Sequence, residues 1–135
     1  MSAASKFSST PAFDPTQLLL LMQDGQEHTA MVFDLLDSIL RNGTAPFDAA
    51  RQSWQEGKAG NAARQLHTVR GSLGSFGLRR FAAAALATEQ ALGLQPGDTA
   101  ADDAIETLFD ATAQALQEGL ADMRTWLAAQ RLSQP

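Results

Sequence analysis

From position 14 onward, apolar residues recur at intervals of three and four, the spacing that gathers side chains on one side of an α-helix. Asp14-Pro15-Thr16-Gln17 reads as a helix start, with Asp at the N-cap, Pro at the first helical position and Gln at the capping-box position. A short helix over residues 18–23 follows, interrupted near Gly25. The next is predicted over 26–41, with Val32, Leu35, Leu36 and Ile39 along one side, and Asn42-Gly43 closes it. Pro46 opens about three turns carrying Phe47, Ala50 and Trp54, and residues 57–61 break them. Further helices are predicted over 62–76, ending at Gly77, over 78–92, and over 102–130. The last aligns Ile105, Leu108, Phe109, Thr112, Leu116, Leu120, Met123 and Leu127, and its length suggests an end that projects or frays. Pro96-Gly97-Asp98 marks a loop over 93–100.

Period-two alternation is missing, Val and Ile are scarce, and there is no internal repeat. Amphipathic helices with short connections favour antiparallel neighbours. The expected fold is all-α: an up-and-down antiparallel four-helix bundle over residues 14–132 with an additional short N-terminal helix. The small, polar, Ser-rich start reads as a disordered leader over 1–13.

Composition narrows the chemistry. At 135 residues the chain suits one domain with a hydrophobic core, and 44% hydrophobic content suits a globular one. The absence of cysteine removes disulfides, thiol nucleophiles and thiolate metal sites, and fits a cytoplasmic setting. A net charge of −5 argues against nucleic acid and anionic membranes as partners. The longest apolar run, Leu18 to Met22, falls far short of the roughly 18 residues of a membrane span.

One helix carries candidate chemistry. With about 100° per residue, Ala62, Leu66, Val69, Leu73 and Phe76 form a core stripe, and His67 points about 140° away from its centre. Gly71 and Gly74 fall within about 40° of His67 on the face expected to meet solvent. Each helical glycine costs roughly 0.8–1.0 kcal/mol relative to alanine. Two beside one imidazole would leave bare backbone for a partner to approach. A neutral imidazole nitrogen is a competent phosphoryl acceptor, and Arg70 and Arg64 flank the face as possible partners for phosphoryl oxygens. A surface histidine between two arginines is also ordinary, and glycines serve close helix packing elsewhere.

His67-Thr68-Val69-Arg70-Gly71, with Gly77 six residues beyond Gly71, resembles the signature of the histidine phosphotransfer (HPt) domain family. Ala63, Leu66, Leu78 and Glu89 fit the same pattern, and the Asp14-Pro15 opening is similar to that of the family. The resemblance implies a four-helix bundle, phosphorylation on the His67 imidazole and no kinase or phosphatase activity of the chain's own. Its implied partners are response-regulator receiver domains and a hybrid sensor histidine kinase. No cofactor is implied on this chain, since the receiver would supply the aspartate and Mg²⁺. Arg70 would stand where the family usually has a Lys that steadies the phosphoryl group, with Gly71, Gly74 and Gly77 giving clearance and docking room. A residue on the following helix, Glu89 or Gln90, would bond the other imidazole nitrogen.

The remaining candidates have structural readings. His28, in register with Val32, Leu35 and Ile39, is expected as a boundary or core histidine. Trp54 and Trp126 are expected to pack in the core or at its rim. Asp102, Asp103 and Glu106 suit the positive end of the last helix. Arg79-Arg80 would be solvated or would widen a docking patch. With two histidines and no HExxH spacing, no metal site is predicted. Two alternatives to a phosphocarrier remain: a helical adaptor that binds a receiver or kinase without being phosphorylated, and an unrelated bundle in which His67 is incidental.

Overall fold

The computed structural model describes residues 7–93 and 99–134. They form six helices: α1 Thr16–Met22, α2 Gln26–Asn42, α3 Ala45–Gln55, α4 Ala59–Ser75, α5 Arg79–Gly93 and α6 Thr99–Ser133. No strand occurs among the described residues. The loop predicted around Pro96-Gly97-Asp98 lies outside them.

Helices α3 to α6 pack as antiparallel neighbours, and the second half of α6 runs on to meet α2, on which α1 rests. Phe47, Phe81 and Phe109, one each from α3, α5 and α6, are buried at the centre of the four-helix layer. Alanines at 84 and 85 on α5 let its backbone approach close to its neighbours. Trp54 stacks on Phe109 at 5.2 Å, and Arg51 spans from α3 to Glu106 and Asp110 on α6. Glu106 therefore ties two helices together, where the sequence suggested only a favourable place near a helix end.

The helix boundaries follow the expected punctuation, with informative shifts. Asp14 is not itself the cap: Pro15 is, while the Asp14 carboxylate accepts the Thr16 N–H at 3.0 Å and its hydroxyl at 2.6 Å. Helix α4 begins at Ala59, three residues early, because Gly57 alone suffices for the break. Gly57 and Gly77 both take positive φ, of 83° and 102°, and each closes the preceding helix with the paired hydrogen bonds of a Schellman turn. Leu35 is 38% exposed rather than buried, and His28 is exposed as well, because no described residue covers that side of α2.

Residues 7–13, expected within a disordered leader, are packed. Ala12 is buried, and Phe13 meets Trp126 edge to face at 5.7 Å. The Arg80 guanidinium donates to the carbonyls of Thr10 and Ser8, and the Arg80 N–H donates to that of Pro11. A polar, Ser-rich composition concealed this strap, since its attachment uses backbone carbonyls that any residue supplies. The α6 C-terminus is likewise held: Arg131 grips Asp37 of α2 through two bonds, at 3.0 and 2.5 Å, and lies over the Phe33 ring.

Candidate functional site

Helices α4 and α5 are joined by the tight turn at Gly77-Leu78, and their register follows from it. Counting outward from Leu78, the fourth residues on each side, Gly74 and Ala82, face one another, and the eleventh, His67 and Glu89, do the same. Close to the turn the helices converge, and a Cβ on Gly74 would lie 3.3 Å from that of Ala82. Gly74 thus lets α5 pack close, and it also lines the groove beside the imidazole. Gly77 answers to the strap: beyond its positive φ, an added Cβ would sit 2.2 Å from the Asp14 carbonyl oxygen. Of the three glycines near the site, Gly71 alone has open space where a side chain would stand.

His67 projects from α4 with its side chain 69% exposed, while Ala62 and Leu66 beside it are buried. Its Nδ1 lies 3.1 Å from Oε1 of Glu89, a carboxylate that is itself only 13% exposed. The second oxygen of Glu89 accepts the Nε–H of Arg70. Arg70 Nη2 also stands 3.1 Å from the same His67 Nδ1.

One ring nitrogen cannot donate and accept together. A proton on Nδ1 satisfies Glu89, and Arg70 is already satisfied by the carboxylate, so every group has a partner. A lone pair on Nδ1 would instead confront the Glu89 oxygen. The Glu89 carboxylate favours the first arrangement, in which Nε2 keeps its lone pair, and Nε2 makes no bond among the described residues. The exposed imidazole is thereby oriented by Glu89 and Arg70.

Arg70 and Glu89 thus join His67, whereas Gln90 is exposed and makes no bond to the ring. Arg64 is not in this cluster either; its guanidinium turns back along α4 to Asn61. Arg79 pairs with Asp14 at 2.9 Å, and Arg80 is committed to the strap and Glu118, so neither is simply solvated. Beside the imidazole a groove runs between α4, α5 and the N-terminal segment, lined by Arg70, Gly71, Ala82, Leu86, Thr10 and Gln17 among others. The contribution of Thr10 and Gln17 carries no sequence signal. Among the described residues, no three His, Asp or Glu side chains are placed to hold a metal ion, and no helix is long and apolar enough to cross a membrane.

The family model for the Hpt domain matches residues 34–126, from the middle of α2 to Trp126 of α6. The chain belongs to that family. The match contains all of α3, α4 and α5, and with them His67, Arg70, Gly71 and Glu89. No curated protein and no solved structure matches the chain. Hpt domains carry phosphoryl groups in phosphorelays, and the role of this Hpt domain is phosphotransfer. Its fold supplies a rigid helix pair on which one imidazole is exposed and oriented.

Proposed function

We propose that Nε2 of His67 accepts a phosphoryl group from the phospho-aspartate of a response-regulator receiver domain and passes it to another. The donor receiver would belong to a hybrid sensor histidine kinase, and the chain would act in trans, in the cytoplasm, without kinase or phosphatase activity of its own. The observation that carries this reading is the exposed His67 ring with Nδ1 occupied by Glu89 and Nε2 left over.

In the forward step the Nε2 lone pair attacks phosphorus in line with the aspartyl oxygen. The N–P bond forms, the P–O bond breaks, and the aspartate leaves as a carboxylate. Mg²⁺ on the receiver would neutralise charge on the equatorial oxygens. This chain supplies Arg70, whose guanidinium lies within reach of the ring and can turn from Glu89 toward the phosphoryl oxygens. Gly71, one helical turn from His67, leaves the receiver's backbone room to close in.

Incubation with radiolabelled phospho-receivers tests the reading. Acid-labile, base-stable label on His67, passed on to a second receiver, is the expected result. Receiver binding without label would replace the carrier by an adaptor.

A further inference from the structure

Among the described residues, every exposed large apolar side chain except Leu86 and Leu132 belongs to α1 or α2. On α2 the exposure follows a pattern. At about 100° per residue, His28, Met31, Leu35, Ser38 and Asn42 fall within about 80° of one another, turned about 100° from buried Val32 and Leu36. Their alternating spacing of three and four is that of a coiled-coil seam. Along one flank of it, seven residues apart, stand Glu27, Asp34 and Arg41. All three are exposed, and none is in a salt bridge among the described residues.

We infer that two copies of the chain pair through this seam, their α2 helices antiparallel across a two-fold axis at Asp34. The order of charges selects both the occupant and the direction. In an antiparallel seam Met31 meets the partner's Leu35, twice, and His28 meets the partner's Ser38. Glu27 then lies against the partner's Arg41 at both ends, and Asp34 against its own counterpart at the axis. Parallel helices would instead turn Glu27 and Asp34 toward the partner's Val32 and Ile39, and no charge would be paired.

The chain carries a net charge of −5, so two copies repel at a distance. Arg41 is the cation that makes this face complementary to itself. Four apolar side chains over roughly 20 Å of helix bury less than the ~1,200 Å² of a standard interface, so the dimer is a reversible one. Helix α2 rests on α1 and α6, whereas His67 projects from α4 beside α5. Pairing through α2 therefore leaves both imidazoles open, and one copy can meet a partner protein while the other is engaged. The inference does not depend on His67 being the acceptor.

Sedimentation equilibrium of the full chain from about 10 μM to 1 mM tests it. The average mass should rise from that of one chain toward that of two. Arg41→Glu turns two attractions into two repulsions and should weaken association about tenfold or more. Glu27→Arg combined with Arg41→Glu exchanges the signs and should restore wild-type association, which local damage from the shared Arg41 change could not do. Asp34→Asn removes the like pair at the axis and should tighten the dimer. A monomer over the whole range, association indifferent to Arg41→Glu, or a double variant as weak as Arg41→Glu alone would each overturn the inference. Phosphate labelling of His67 is a separate readout: its failure would strike the proposed function and leave the dimer standing.

Discussion

Asp14 and Gly77 are joined backbone to backbone: the Asp14 N–H donates to the Gly77 carbonyl at 2.8 Å, and the Asp14 carbonyl oxygen occupies the space where a Gly77 side chain would begin. At this contact the strap, the α4–α5 turn and the start of α1 meet. Replacing Gly77 by Ala imposes both a left-handed conformation on a residue with a Cβ and a collision with backbone that cannot swing aside. We expect a loss of about 2–4 kcal/mol, measured by urea unfolding, with faster proteolysis near residues 7–14.

Gly71 should behave in the opposite sense. Its Cβ position is empty and its backbone helical, so Gly71→Ala should raise stability by up to about 1 kcal/mol. The same methyl group, one turn from His67, should slow phosphoryl exchange with a receiver, and Gly71→Leu should slow it further. A Gly71→Leu variant that exchanges phosphate as fast as wild type would show that no partner passes over this backbone.

His67→Gln should abolish phosphate uptake while leaving helical content and unfolding midpoint nearly unchanged, since the side chain is largely in water. Circular dichroism and a labelling assay on the same sample decide this.

Two half-buried carboxylates should make stability fall in acid. The Asp14 carboxyl is held below its ordinary value by the Thr16 hydroxyl and N–H and by Arg79, and Asp37 by Arg131. A carboxylate lowered on folding adds stability above its unfolded pKa, near ~3.9, and loses it as the pH drops through the lower folded value. The melting temperature should therefore decline below about pH 4, and less steeply in Asp37→Asn, whose Arg131 clasp is already gone.

Much of this architecture is legible in the chain. Apolar periodicity locates the helices, and Gly43, Gly57 and Gly77 stop three of them, because those signals are local. Readings that depended on which helix lies alongside were the ones revised. Gly74 looked free because a single helix wheel cannot show that α5 converges there; Arg64 is the exception, drawn off by Asn61 one turn back on its own helix. The choice between Glu89 and Gln90 could be made from the Gly77-Leu78 turn, since residues equally distant from a tight antiparallel turn face one another. Nothing local foretold the strap, whose bonds to Arg80 run through main-chain oxygens.

The match to the family begins at residue 34, yet Thr10 and Gln17 stand on the edge of the groove that adjoins Gly71. A neighbour settling over that bare backbone would meet a border built by a stretch of chain that has no part in the imidazole's chemistry. If a receiver docks there as proposed, substitutions at Thr10 or Gln17 should change which receiver is admitted and leave phosphate handling at His67 intact, so selectivity and reactivity would be open to separate alteration.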